Sequence, residues 1–200
     1  MSSVKPNNDQ QLNAITALTK AEYQQYRQQL QTGDLIFASG NYAFSRAIRH
    51  VTRSIWSHVG LIVCTHDRVL VLESIELVGV RLAPLSKYLD QYDGNQPYNG
   101  RLVVARRLDI DATQAQQAVC FGLDALTRPY NHLEIASIVY RAMRKKPRRY
   151  DPDDQTYLCS ELVYHAFQSA NIAVDADAQG FVSPQNIWQH PKMELLTRLL

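Results

Sequence analysis

The sequence has no long apolar run, which argues against a membrane-spanning helix. No stretch approaches the roughly 18 consecutive apolar residues that such a helix needs, and the longest, around Val59 to Cys64, has the length of a strand. The N-terminal stretch MSSVKPNNDQQLN has one lysine and no apolar core of the kind found in secretory signals. We therefore expect a cytoplasmic location and no transmembrane segment, and peripheral contact with lipid stays open.

Cysteine is scarce, and the charge is close to balanced. Cys64, Cys120 and Cys159 are an odd number of cysteines at wide spacing, which does not suit a disulfide framework and does suit a reducing compartment. Neither a Cys-x-x-Cys nor a His-x-x-x-His pattern occurs, so no zinc site is indicated and no cofactor is expected. With 21 Lys and Arg against 19 Asp and Glu, the net charge of +2 argues against nucleic acid as a partner.

The hydrophobic patterns predict a single α+β domain, and 200 residues is an ordinary length for one. Two β-branched runs, 57–64 and 68–74, flank the polar Thr65-His66-Asp67 and predict a hairpin. Helical periodicity precedes and follows the strands, as is typical of the α+β class. We expect residues 1–32 to form an N-terminal segment whose helix packs on a domain of residues 33–200. The predicted helices cover 11–30, 41–52, 111–126, 132–143 and 157–170, and further strands are predicted at 35–37, 77–82 and 101–108.

Two polar residues interrupt the apolar pattern of the predicted hairpin. If Val63 pairs with Arg68 around a four-residue loop, His58 lies directly opposite Glu73 on the same face of the sheet. A slip of one residue would place the two side chains on opposite faces, and the sequence alone leaves the register open. In the paired register, Glu73 would orient the imidazole, as the acidic member of a catalytic triad does.

Cys159 occupies the first turn of a predicted helix, for which Thr156 or the Asp153-Asp154 pair are candidate N-caps. The positive end of the helix dipole favours a thiolate there, and the unpaired backbone N–H groups could hold an oxyanion. The competing interpretation is packing, since a lone cysteine in an apolar helix is usually a core residue. Cys64 and Cys120 fit that interpretation well.

Four motifs together resemble a known family. They are GDLIF, WSHVGLI, VLES-x₄-GV and YLCSELVYHAF, and they run from Gly33 to about Trp188. The string resembles the circularly permuted papain-fold hydrolases, the YiiX/YebB-like branch of the NlpC superfamily of cysteine peptidases and amidases. The resemblance implies a permuted papain-like fold with Cys159 as nucleophile, His58 as base and Glu73 as orienting carboxylate. In PYNHLE, Asn131 stands where the family has an aspartate, which leaves a role for this position in doubt.

The expected activity is that of a cysteine hydrolase that cleaves an amide or ester through an acyl-enzyme on Cys159. The substrate would be a small molecule, a peptide or a lipid amide. Two alternatives stay open: an acyltransferase of the lecithin retinol acyltransferase type, and a catalytically silent binding module on the same scaffold. The basic stretch Arg141 to Arg149 is interpreted as a solvated loop or as a site for an anionic headgroup. Tyr157 could lend its hydroxyl to the oxyanion, although core packing is the favoured interpretation.

Overall fold

An antiparallel sheet of six strands organises the chain, in the order β4-β3-β2-β1-β5-β6. The computed structural model describes residues 8–19, 21–92, 94–130, 156–177 and 180–200. Neighbouring strands pair antiparallel throughout the described sheet, in agreement with the predicted α+β class. The strands are β1 (Leu35–Gly40), β2 (His58–Cys64), β3 (Val69–Ile75), β4 (Gly79–Pro84), β5 (Gly100–Arg107) and β6 (Met193–Arg198).

Seven α-helices lie within the described residues. None of them is long and apolar enough to cross a membrane. Asp111 caps one of them, as its position predicts, and accepts a hydrogen bond from the Gln114 backbone N–H at 2.8 Å. The helices are α1 (Asn8–Ala17), α2 (Tyr23–Tyr26), α3 (Ala43–Thr52), α4 (Ser86–Asp90), α5 (Ala112–Asp124), α6 (Cys159–Ser169) and α7 (Pro184–Trp188).

The single helix predicted over 11–30 is wrong, because α1 and α2 are separate. Between them, the Ala21 N–H donates to the Arg198 carbonyl at 2.9 Å, which ties the chain to the end of β6. A backbone donor used in this way cannot continue a helix, so a tertiary contact ends the helical pattern. The helix predicted over 132–143 lies outside the described residues.

The sheet has an apolar cluster on each face. Helices α5 and α6 pack on one face, where Leu61 of β2 and Leu72 of β3 meet the apolar stripe of α6. The other face carries Ile62 and Val71 and is covered by α4 and the C-terminal residues. Because β2 and β3 are covered on both sides, their sequences are nearly continuous apolar runs. A polar side chain in these strands therefore lies in the interior.

The hairpin register differs from the predicted one by two residues. Val63 pairs with Leu70, rather than with Arg68, and Cys64 with Val69 is the last pair before the turn. The four-residue loop predicted from the sequence is present, but it spans 65–68, because Thr65 and Arg68 close the turn with hydrogen bonds. His58 is therefore not directly opposite Glu73. A shift of two residues preserves the face, so both side chains still share one side of the sheet.

Helix α1 contacts the rest of the chain near α7. Ile15 is 1% exposed and belongs to the core on the α6 side of the sheet. The Gln11 side-chain oxygen accepts hydrogen bonds from Trp188 at 2.9 Å and from Gln185 at 3.2 Å. Gln185 in turn accepts from the Ile55 backbone N–H at 3.1 Å. The helix that precedes residue 33 is thus joined to the segment that leads into β2.

Candidate active site

Two of the candidate site residues meet on neighbouring strands. His58 opens β2 and Glu73 lies near the end of β3, and the His58 Nε2 is 2.7 Å from the Glu73 Oε2. The Glu73 side chain is fully buried, whereas 15% of the His58 side chain is exposed. The residues are diagonal rather than opposite neighbours, and the length of the glutamate side chain spans this separation. Because Nε2 faces Glu73, the Nδ1 atom of the ring is left for a different partner.

A glycine makes room for this diagonal contact. Gly60 follows His58 by two residues on β2. A Cβ built on Gly60 would be 3.2 Å from the Glu73 Cβ and 2.9 Å from a Val71 methyl. Any larger residue would press on Glu73 from the neighbouring strand. The absence of a side chain at Gly60 therefore allows Glu73 to lean along the sheet toward His58.

Glu73 has two further partners that the sequence pattern does not predict. Arg81, directly opposite Glu73 on β4, donates to Oε1 through Nε at 2.9 Å and lies 2.8 Å from it through Nη2. The Tyr88 hydroxyl of α4 donates to Oε2. A signal for Arg81 was present, since a charged residue interrupts the apolar stretch GVRLAP. Nothing in the sequence relates Tyr88 to Glu73, because α4 meets this carboxylate only in the folded chain.

These contacts shift the pKa values of both members of the pair. Burial raises the pKa of Glu73, but the hydrogen bond and charge of His58, aided by Arg81 and Tyr88, outweigh burial and lower it below its ordinary value. Burial lowers the pKa of His58, but the hydrogen bonds to Cys159 and Glu73 outweigh it and raise the pKa to about 10. At neutral pH the centre therefore holds a carboxylate beside an imidazolium.

Cys159 is the first residue of α6, and it lies close enough to His58 to contribute to the raised pKa of the imidazole. Only 6% of Cys159 is exposed. The structure thus brings together the three candidate residues His58, Glu73 and Cys159, from two strands and one helix. Because Cys159 is the first residue of α6, its backbone N–H has no hydrogen-bond partner within the helix.

The predicted N-caps of this helix are wrong in one respect. The N-cap residue is Leu158 rather than Thr156, and its N–H donates to the Glu161 Oε2 at 2.9 Å. Glu161, the third residue of the helix, thus accepts the N–H of the N-cap residue, which is the glutamate half of a capping box. The pair Asp153-Asp154, the other candidate cap, lies outside the described residues.

The segment before Cys159 is fastened to β3 and to the loop after α5. The buried Ser74 hydroxyl donates to the Tyr157 carbonyl at 2.7 Å, and the Tyr157 hydroxyl accepts from Arg128 at 2.9 Å. The Tyr157 ring is 7% exposed and packs in the core. Its hydroxyl therefore serves Arg128, which agrees with packing rather than with a role at the oxyanion.

An open cleft of about 310 Å³ borders His58. One wall contains Tyr130, whose pKa is raised by burial and by the charge of the nearby Cys159. Leu77 and Val78, at the tip of the β3–β4 turn, are among the most exposed large apolar residues, and Leu77 lies on the rim of the cleft. The lining is mainly aromatic and aliphatic: Tyr42, Ile48, His58, Ile75, Leu77, Tyr92, Tyr98 and Tyr130, with the polar Ser45, Ser57, Ser74 and Glu76.

The remaining cysteines lie elsewhere. Cys120 is exposed on α5, and Cys64 ends β2 with its thiol donating to the Leu30 carbonyl at 3.4 Å. Burial raises the pKa of Cys64. Among the described residues, no group of three or more His, Cys, Asp and Glu side chains could hold a metal ion. Asn131 and the basic stretch Arg141 to Arg149 lie outside the described residues.

The fold and the order of the motifs define a class. Strand β2, which begins with His58, precedes helix α6, which begins with Cys159. This order is that of a permuted papain-like fold, and comparison with known families gives the same assignment. The chain belongs to the family of permuted papain-like amidase enzymes, YaeF/YiiX, C92, whose profile matches residues 29–197. The resemblance noted in the sequence and the expected fold are confirmed.

Individual relatives agree with this assignment. The chain is 28% identical over 144 residues to a protein of Escherichia coli (strain K12) described as uncharacterized protein YiiX, and it spans 59% of that relative's length. It also resembles the crystal structure described as metalloprotein YiiX from Escherichia coli O157:H7, with a TM-score of 0.63 and 22% identity. That comparison covers 84% of this chain and 97% of the other, and it shows the fold.

Proposed function

We propose that the protein is a cysteine hydrolase that cleaves an amide or an ester through an acyl-enzyme on Cys159. The observation that carries the proposal is the connected arrangement of Glu73, His58 and Cys159. The Glu73–His58 contact is 2.7 Å, and Cys159, at the start of α6, is near enough to His58 to raise the pKa of the imidazole. Membership of an amidase family supports the same class of reaction.

The chemistry follows from the atoms available. With the thiol proton carried by the His58 imidazolium, the Cys159 thiolate attacks the substrate carbonyl carbon. As the tetrahedral intermediate collapses, the bond from carbon to nitrogen or oxygen breaks, and His58 gives the proton to the leaving amine or alcohol. A water molecule then attacks the thioester while His58 accepts its proton. The bond from carbon to sulfur then breaks, the carboxylic acid leaves, and the Cys159 thiolate is released beside the protonated His58.

The surroundings suit each role. Glu73 accepts the Nε2–H of His58, which fixes the ring orientation and stabilises the imidazolium. The N-terminus of α6 places the Cys159 N–H and the positive end of the helix dipole where negative charge develops on the carbonyl oxygen. The cleft beside His58 leaves space for a substrate next to the proposed base.

Limited alkylation with iodoacetamide, followed by peptide mapping, tests the proposal. We expect Cys159 to react faster than Cys120 near pH 6, although Cys120 is exposed and Cys159 is 6% exposed. A thiolate stabilised by a protonated histidine reacts where an ordinary thiol does not. His58→Ala should remove this preference, and Cys120→Ala should leave the alkylation rate of Cys159 unchanged.

Two alkylation results would contradict the assignment of Cys159 as nucleophile. If Cys120 is alkylated first, or if His58→Ala leaves the Cys159 rate unchanged, the nucleophile is misassigned. A positive result is followed by incubation with p-nitrophenyl esters and mass spectrometry of the Cys159 peptide. An acyl adduct in the wild type and none in Cys159→Ala supports covalent catalysis. Turnover retained by Cys159→Ala would overturn it.

A further inference from the structure

Arg81 holds one oxygen of the buried Glu73 carboxylate while the other is shared by two partners. The Nε and Nη2 atoms of Arg81 both approach Oε1, at 2.9 and 2.8 Å. Oε2 faces His58 at 2.7 Å and accepts from the Tyr88 hydroxyl. This division leaves the Glu73 side chain little freedom to rotate away from His58.

The pairing follows from the sheet register. Glu73 and Arg81 are directly opposite on β3 and β4, and a direct pair shares one face. The Glu73 side chain is fully buried, and 21% of the Arg81 side chain is exposed. Four groups lie near Glu73: His58 from β2, Arg81 from β4, Tyr88 from α4 and Tyr92 from the loop after α4. Cys159 of α6 interacts with His58 and so reaches Glu73 indirectly.

We propose that Arg81 is a positioning residue for the reaction: it keeps Glu73 ionised and oriented toward His58, and it acts on Cys159 only through those two residues. The inference rests on the proposed function, since it assumes that His58 and Cys159 act together. It adds a fourth member, on a third strand, to the Cys159–His58–Glu73 arrangement.

The buried Glu73 carboxylate needs groups that compensate its negative charge. A carboxylate removed from water is costly unless a cation or hydrogen-bond donors compensate it. When His58 gives its proton to the leaving group, Glu73 loses the larger part of this compensation. Arg81 is permanently charged, so Glu73 stays ionised while His58 gives and takes a proton. The charge of Arg81 also lowers the pKa of Glu73.

The test measures the alkylation rate of Cys159 as a function of pH and needs no substrate. In Arg81→Met the side-chain volume is kept and the charge is removed, so Glu73 is protonated at higher pH and supports the imidazolium less well. We expect the acidic limb of the alkylation profile to move up by about one pH unit or more, the usual effect of losing a neighbouring opposite charge. A residue with a structural role alone would lower the melting temperature without moving this limb.

Arg106→Met is the matched control. Arg106 lies on β5 and binds the buried Asp34 at 2.6 and 2.8 Å, and 25% of its side chain is exposed. The variant removes the same atoms from a similar ion pair outside the site. We expect a comparable loss of stability with no shift of the Cys159 profile.

Each outcome has a defined consequence. A shifted limb in Arg81→Met and none in Arg106→Met supports the positioning role, and an unshifted limb in folded Arg81→Met overturns it. If Arg81→Met does not fold, Arg81→Lys is measured instead. The positioning role is supported if the acidic limb of its Cys159 alkylation profile lies near that of the wild type while the plateau rate is several-fold lower. An alkylation profile identical to that of the wild type overturns the role. His58→Ala separates the two proposals, since an unchanged Cys159 rate there refutes the triad itself.

Discussion

At the scale of single residues, Glu73 combines complete burial with three polar partners, His58, Arg81 and Tyr88. Its two oxygens are divided between a permanent cation on one side and the imidazole and phenol on the other. A carboxylate held in this way cannot reorient without leaving a buried group unpaired. The orientation of His58 therefore depends on Arg81 and Tyr88, neither of which lines the cleft beside His58.

Substitutions of these residues should form a graded series. Cys159→Ala and His58→Ala remove the proposed nucleophile and the proposed base, and loss of a general base costs about 10²–10⁴-fold in rate. Glu73→Gln should be milder, because the amide oxygen can still accept the Nε2–H. Tyr88→Phe should be milder again, because Arg81 and His58 still hold the carboxylate. The measurement is kcat/KM on any ester or amide that the wild type turns over.

The substitutions at Glu73 and Cys159 should also differ in how much they lower the free energy of unfolding. Glu73→Gln leaves the Arg81 charge without its partner, and we expect a loss of somewhat less than the ~3–5 kcal/mol seen when fully buried pairs are broken. Cys159→Ala removes a single sulfur and should cost at most about 1–2 kcal/mol. Urea denaturation measures both. A Glu73→Gln variant as stable as the wild type would argue against the ion pair.

At the scale of elements, strand β3 serves the site from both faces. Glu73 points to one face and meets His58, while the next residue, Ser74, points to the other and donates to the Tyr157 carbonyl at 2.7 Å. Alternation of side chains along a strand makes this division possible. One strand thus positions both the carboxylate and the segment that leads into α6.

Ser74→Ala should loosen the start of α6 relative to β3. We expect a lower alkylation rate at Cys159 and a stability loss of about 0.5–1.5 kcal/mol, the usual worth of one hydrogen bond. Ser169→Ala is the control at the far end of the same helix, where the hydroxyl donates to the Ala166 carbonyl at 2.7 Å. It should cost a similar amount of stability and leave the Cys159 rate unchanged. Equal rates in both variants would contradict the role given to Ser74.

At the scale of the whole molecule, the buried charges link stability to pH. The folded-state pKa of His58 is raised from 6.5 to about 10, so its contribution is complete below pH 6.5 and is lost as the pH rises through about 10. The pKa of Glu73 is lowered from 4.5, so its contribution is present above pH 4.5 and is lost as the pH falls through the lowered value. The network should therefore stabilise the fold most between these two limits.

Urea denaturation of the wild type and of His58→Ala, from pH 3 to pH 10, checks this linkage. The difference in free energy of unfolding between the two proteins should be largest near pH 5–6 and should shrink as the pH rises toward 10. Taking the difference removes contributions from distant groups, such as Asp109, whose pKa Arg107 lowers to about 2. A difference that grows above pH 7 would show that His58 is buried in its neutral form.

Local chemistry in the sequence was enough to identify the class and the candidate residues. His58 and Glu73 stand out because they are polar residues in strands that are otherwise apolar, and Cys159 stands out because a helix begins there. The motifs around them, from Gly33 to about Trp188, carry the resemblance to the permuted papain-like family, which the family profile confirms. Such features are readable because burial, helix starts and short motifs depend on neighbours in the chain.

Only the tertiary structure decided which groups meet. Apolar alternation predicts the face on which a residue lies but not its partner, so the hairpin register was set by the turn at Thr65 and differed by two residues from the predicted one. Arg81 and Tyr88 became partners of Glu73 through the pairing of β3 with β4 and the packing of α4. The predicted 11–30 helix ended where Ala21 found a backbone partner near the C-terminus. In each case the deciding contact joins residues that are distant in sequence, and its geometry exists only once the sheet has formed.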